Sequence, residues 1–221
     1  MPGTTDLPEW VRQRALIQFT AIHLPTAALV VVDMQRIFVR AGEIFAMPRS
    51  EEIISRINTL AKAVRAGGGM VVFTRHTVTD EAPYAMPSWV MADPKQFAIW
   101  DRLRADSPGH ELDERMDFRD GDLVINKHRY SAFTYNSSTL AADLTARGVD
   151  TVIVVGVATN ACCETTTRDA SQLGYRTFFI SDATAALTDI EHNYALLTIA
   201  AVFADVRNTE SMLQLCQKRS A

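Results

Sequence analysis

The chain has 221 residues, 48% hydrophobic and 22% charged, with a net charge of −4 at pH 7. That is ample for one hydrophobic core, lacks the basic excess that a nucleic-acid surface needs, and includes no run of the roughly 18 apolar residues that cross a membrane. Three cysteines, two of them adjacent, make no disulfide framework and predict a reducing, cytoplasmic setting.

Asp6 and Glu9 stand where a signal peptide would be cationic, so none is expected. Leu7, Val11, Leu16 and Phe19 predict a short amphipathic helix over 7–19. A first strand is predicted over 28–32, an unbroken apolar run of the kind buried on both faces, and it ends in Asp33. Ser50 is the predicted cap of a helix whose first turn holds Glu51 and Glu52, with Ile53, Ile54, Ile57, Leu60, Ala61 and Val64 at helical spacing. Gly67 to Gly69 end it, and a second strand follows over 70–74.

Residues 78–120 are mixed, rich in Pro, Trp and Tyr, with a helical piece predicted near 97–104. The aromatic part, 78–100, is either a lid over a pocket or an oligomer contact, since aromatics serve both. A third strand over 123–126 runs into Lys127, and Asn136 or Ser137 caps the next helix, with Leu140, Ala141 and Leu144. Residues 152–155 read as a fourth strand, closed by Gly156 and a small polar turn, with Cys162 where a helix begins and Gly174 where it stops. A fifth strand follows over 176–180. Thr188 with Glu191 forms a capping-box pattern for a helix through Phe203, and a last short strand is predicted over 205–208.

Alternating strands and helices predict a single α/β domain: a Rossmann-like three-layer sandwich around a mostly parallel sheet. Sites in such folds lie at the carboxyl ends of the strands. Asp33, Lys127 and Cys162 all fall there. A thiol at a helix N-terminus is favoured as thiolate by the dipole, so Cys162 is the predicted nucleophile. A buried structural thiol is the ordinary alternative, and it suits Cys163, which lies about 100° further round the helix. Asp33 reads as general base or as a strand-end carboxylate. Lys127 reads as a fixed cation or as part of a solvated basic turn with His128 and Arg129. None of the five histidines shows metal-ligand spacing with another, and no Cys-x-x-Cys is present, so no metal is expected. His76 can reach the rim as a supporting residue, and a Cys-His pair stays open. Gly67 to Gly69 precede a strand instead of following one, and no Walker-type loop exists, so no nucleotide cofactor is expected.

Four stretches then match a known pattern in order: Val31 to Gln35 (VVDMQ), Pro108 to Leu112 (PGHEL), Lys127 to Phe133 (KHRYSAF) and Gly156 to Cys162 (GVATNAC). Over about 25–210 the chain resembles the isochorismatase-like cysteine hydrolases. The resemblance implies a six-stranded parallel sheet and an Asp33-Lys127-Cys162 triad, with 1–24 as an N-terminal extension to a domain over 25–215. It also implies a cis Val157–Ala158 bond, an oxyanion hole from the backbone N–H groups of Ala158 and Cys162, and a homo-oligomer, a tetramer in many members. The cysteine separates this chain from true isochorismatases, which lack it. Arg36-Ile37-Phe38-Val39 replaces the histidine-bearing metal motif of the family's nicotinamidases. The KHRYSAF form looks most like ureido and carbamoyl amidases acting on N-carbamoylsarcosine, ureidoacrylate, biuret or triuret. The implied substrate is a small linear amide, bound by Phe38, Arg75, Tyr130 and Thr159. Another small amide, maleamate- or nicotinamide-like, is the alternative, followed by a non-catalytic binding relative and a redox-sensing thiol.

Overall fold

The computed structural model describes residues 9–217. Six parallel strands form one sheet: β1 (Ala27–Val32), β2 (Met70–His76), β3 (Leu123–Lys127), β4 (Thr151–Val157), β5 (Arg176–Ala185) and β6 (Asp205–Arg207). Their order is β3-β2-β1-β4-β5-β6. The chain winds outward from β1 in one direction and from β4 in the other. A crevice therefore opens between the carboxyl ends of β1 and β4, where α/β sheets bind ligands.

Every residue of β1 and β4 is buried, which explains their unbroken apolar runs. Alternation along the strands sorts the core into two faces. Leu29, Val31, Phe73, Ile153, Val155 and Phe178 pack toward the long helix Ser50–Ala66 and the last helix, Thr209–Gln217. Val30, Val32, Val72, Val154 and Phe179 pack toward Leu140 and Leu144 of Leu140–Ala146, Ala170 of Glu164–Gln172, and Leu196 of Asp189–Thr198. The last of these carries the expected capping box: Thr188 Oγ1 accepts from Glu191 N–H at 3.2 Å.

Several local expectations are corrected. Within the described part of 7–19 only Glu9–Arg12 is helical, and Leu16 is 80% exposed; Leu7 lies outside the described residues. Phe19 instead packs on Phe178, centroids 5.2 Å apart. Ser50 does not cap its helix; it is the first helical residue, and its hydroxyl donates to the carbonyls of Val39 and Met47. Nor does Asn136 or Ser137 cap the helix that begins at Leu140. Asn136 turns the chain at φ +54°, and the Ser137 hydroxyl donates to Ser131 O at 2.5 Å. The aromatic segment is α-helical over Ser88–Met91 and Pro94–Trp100, and the second piece runs into a 3-10 turn, Asp101–Leu103. Both β2 and β5 run past their expected ends.

Candidate active site

The site grows from the ends of β1, β2, β3 and β4. Asp33 directly follows β1 and adopts a left-handed φ of +50°, uncommon for a residue other than glycine. Thr74 of β2 fixes it: its hydroxyl donates to Asp33 Oδ1 at 2.8 Å, and its carbonyl accepts from Asp33 N–H at 3.2 Å. Two residues on, the fully buried Gln35 amide ties three segments together. Its Nε2 donates to the carbonyls of His76 (3.1 Å) and His110 (2.9 Å), and its Oε1 accepts from His76 N–H at 2.7 Å. Gly156 lets β4 approach β1 here. A Cβ at that position would stand 2.1 Å from Val32 O, and its φ is +113°.

Lys127 is fully buried, and its ammonium reaches four groups: Asp33 Oδ2 at 2.7 Å, Arg129 O at 3.1 Å, His76 Nδ1 at 3.2 Å and Cys162 Sγ at 3.4 Å. Burial opposes its charge, but the Asp33 carboxylate and the Cys162 sulfur outweigh burial and hold its pKa above the ordinary lysine value. An ammonium only donates, so His76 Nδ1 must accept, which puts the ring proton on Nε2. Burial and then the Lys127 charge hold the His76 pKa well below the usual value, so the ring is neutral. Its Nε2 is buried with no hydrogen-bond partner among the described residues, and the ring lies against Trp100 (ring centroids 5.0 Å apart) and Tyr130 (6.0 Å).

Cys162 lies in a π-helical turn, Thr159–Cys163, that leads into Glu164–Gln172. Such turns are frequent at functional sites. The thiolate expected from a helix N-terminus is corrected. The side chain is only 7% exposed, and burial pushes the thiol up to about 12, with Lys127 pulling down and Asp33 pushing up. At neutral pH the resting group is a thiol, and it needs a base. Cys163 packs in the core with its Sγ toward Val155 O, as the helix geometry predicts. All three cysteines are free.

A cavity of about 560 Å³ opens above the triad. Asp33, His76, Ala158 and Cys162 line it, with Phe38 and Tyr130. The Val157–Ala158 peptide is cis, as the resemblance implies. The aromatic segment contributes a wall from Asp93 to Trp100, whereas Trp89 stands outside and is 76% exposed. Two expected substrate contacts are not brought in. Arg75 and His76 are neighbours on β2 and point to opposite faces; Arg75 Nε donates to Asn126 Oδ1 of β3 at 3.0 Å. Thr159 is fully buried, with its hydroxyl 2.9 Å from His192 Nδ1, and does not line the cavity. Sequence reasoning did not single out Thr74, Met47 or the tie made by Gln35. A lone polar residue in a β-strand carries no periodic signal; Gln35 was visible only as part of a motif.

Ligand atoms of Asp33, His76 and Cys162 lie within 4.8 Å of one another, close enough to suggest a metal site. The three do not fit one: the Lys127 ammonium already reaches all of them, and a second cation would meet its charge.

A buried Asp-Lys-Cys cluster at the switch point of a 3-2-1-4-5-6 sheet agrees with the sequence match: the isochorismatase domain pattern covers residues 27–211. The chain belongs to the isochorismatase family. This isochorismatase-family hydrolase is 34% identical to Nicotinamidase 3 of Arabidopsis thaliana over 179 residues, which is 80% of this chain and 82% of that protein. It is 31% identical to the ureidoacrylate amidohydrolase RutB of Variovorax paradoxus (strain S110), over 76% of this chain and 71% of the relative. Among solved structures, a cysteine hydrolase from Pseudomonas syringae pv. phaseolicola 1448A superposes with a TM-score of 0.82 at 30% identity, covering 91% of this chain and 97% of that one.

Proposed function

We propose that this hydrolase is a metal-independent cysteine amidohydrolase that cleaves a C–N bond of a small linear ureido or carbamoyl amide, such as biuret, triuret or an N-carbamoyl compound. The observation that carries this reading is the buried contact of the Lys127 ammonium with both Asp33 (2.7 Å) and Cys162 (3.4 Å) at the floor of an open cavity. In the proposed cycle Asp33 takes the thiol proton as Sγ attacks the carbonyl. The N–H groups of Ala158 and Cys162 receive the oxyanion. Asp33 then passes its proton to the departing nitrogen, leaving a thioester. Asp33 next takes a proton from water, the hydroxide attacks the thioester, the acid leaves, and the proton returns to sulfur. Lys127 stays charged throughout and holds Asp33 in line. Phe38 and Tyr130 flank the bound amide.

The relative that acts on ureidoacrylate supports the ureido class. The relative named a nicotinamidase supports a second reading, an amidase for a nicotinamide-like amide with the same triad. A homo-oligomer, a tetramer, and a cytoplasmic setting complete the proposal; the free thiols suit the latter.

An ammonia-release screen over biuret, triuret, N-carbamoyl amino acids, ureidoacrylate and nicotinamide tests the reading. Release from a ureido compound, lost in Cys162→Ser, supports it. Activity on nicotinamide alone selects the second reading. No release from any member, with substrate-independent oxidation of Cys162, returns the chain to a thiol sensor or binding relative.

A further inference from the structure

An ammonium carries three protons, yet among the described residues four acceptors stand within 3.4 Å of the Lys127 nitrogen. Asp33 Oδ2 and Cys162 Sγ are the two that bear negative charge in turn during the proposed cycle. The other two, Arg129 O at 3.1 Å and His76 Nδ1 at 3.2 Å, are uncharged and keep the same form throughout. Both are held from outside the triad. His76 is the register partner of Lys127 across the parallel pair β2 and β3, so the two side chains stand on one face of the sheet. The Gln35 amide ties the His76 backbone at both its N–H and its carbonyl, and the ring packs against Trp100 and Tyr130. Arg129 is fixed by its own guanidinium, which donates to the carbonyls of Tyr84 (2.9 Å), Ala85 (3.3 Å) and Pro83 (3.4 Å). Two of the three protons thus have rigid, neutral acceptors, and one is left for Asp33 and Cys162 to share.

We propose that His76 and Arg129 are positioning residues that peg two protons of Lys127, so that the third alone follows the negative charge from Asp33 to Cys162. This rests on the cysteine amidohydrolase reading and deepens it. At rest Asp33 bears the charge and lies closer, so it holds the mobile proton and the neutral thiol gets little of it. In the attack the S–H bond breaks and its proton passes to the Asp33 carboxylate. The mobile N–H then turns its hydrogen bond from Oδ2 to Sγ, and no N–H bond of the ammonium breaks. Thiolate formation is thereby tied to protonation of Asp33, and the hydrogen bond to sulfur is made only as charge develops there.

Iodoacetamide labelling of resting Cys162 at one fixed pH of about 8, read by peptide mass spectrometry, tests the peg without any substrate. Turnover is measured in parallel on whichever of biuret, triuret, N-carbamoyl amino acids, ureidoacrylate and nicotinamide the wild type hydrolyses. His76→Leu removes one acceptor and frees a second N–H for sulfur at rest. It is expected to label roughly three- to tenfold faster than wild type. Its kcat is expected to fall roughly 10- to 100-fold with KM within about threefold, because stabilisation already present at rest does not lower the barrier. His76→Asn loses the ring as well but sets an acceptor oxygen near the place of Nδ1, and is expected to restore wild-type labelling and most of kcat. Leu and Asn open the cavity alike, so looser packing alone cannot separate them. Arg129→Lys keeps the charge but cannot bridge three carbonyls. It carries the same expectation at smaller size and decides the matter if His76→Leu does not fold. Labelling of His76→Leu no faster than wild type overturns the inference. So does an Asn variant as altered as the Leu variant, or a loss that falls on KM instead of kcat. If the wild type hydrolyses no member, faster labelling in Leu but not in Asn supports the peg and counts against the amidohydrolase reading instead.

Discussion

Lys127→Met keeps the length of the side chain and removes its charge, and its consequences can be worked from the site. Lys127 and Asp33 are 0% and 1% exposed, and their charged atoms lie 2.7 Å apart. Removing one partner of a buried pair costs about 3–5 kcal/mol, because the other charge remains in a medium that solvates it poorly. That is a large part of a typical stability of about 5–15 kcal/mol. For a domain of this size it lowers Tm by roughly 6–20 °C. The pH dependence has a definite sign. The folded-state pKa of Lys127 is raised, so the stability it contributes is fully present below the ordinary lysine value and is lost only as pH rises through the folded value. Across the neutral range it therefore gives the wild type no slope. Urea denaturation followed by circular dichroism at about pH 8 reads the loss directly. The double variant Asp33→Asn/Lys127→Met should recover more than half of the loss, since it removes the orphaned charge. A Lys127→Met variant that stays within about 1 kcal/mol of wild type at about pH 8, as a surface pair would, refutes the buried-pair argument.

Three further predictions concern other parts of the site. With the Cys162 thiol pushed up to about 12, iodoacetamide labelling of Cys162 should be slow at neutral pH and rise about tenfold per pH unit toward alkaline pH. Asp33→Asn should speed labelling at a given pH, because Asp33 raises that pKa, while abolishing hydrolysis; a flat pH profile at Cys162 by mass spectrometry would contradict this. Gly156→Ala should destabilise the fold by at least about 4 kcal/mol, since its Cβ would fall 2.1 Å from Val32 O at a φ of +113°; a soluble variant with wild-type Tm would count against the close approach of β1 and β4. Gln35→Leu leaves His76 N–H and two carbonyls without partners, at about 1–3 kcal/mol for each group left buried. It should lower both Tm and kcat, and an unchanged kcat would separate Gln35 from the site.

Periodicity in the sequence carried the sheet well. The all-apolar runs of β1 and β4 could be read because strands buried on both faces leave no room for polar residues. Asp33, Lys127 and Cys162 were visible as polar residues at strand ends, and parallel topology alone gathers them on one edge. Other features left no local trace. The apolar spacing of 7–19 matches a helix, yet past Arg12 the chain leaves the helix and lays Phe19 on Phe178, a long-range contact that local spacing does not encode. Arg75 and Thr159 neighbour site residues in sequence, but strand alternation turns Arg75 away and burial against His192 removes Thr159. The thiol's pKa was misjudged because a helix terminus can be read from sequence, whereas the depth of burial cannot. The cap expected at Asn136 or Ser137 failed because both residues serve the preceding turn.

In the proposed cycle Cys162 carries the substrate's acyl or carbamoyl group during turnover. Acid quenching of the wild type in the steady state with whichever amide it hydrolyses, followed by peptide mass mapping, tests that claim most directly. A thioester adduct of the acyl mass is expected on Cys162, with none on Cys163 or Cys216, and it should be lost on treatment with neutral hydroxylamine. Sustained turnover by Cys162→Ala, or an adduct that maps to another residue, would contradict it.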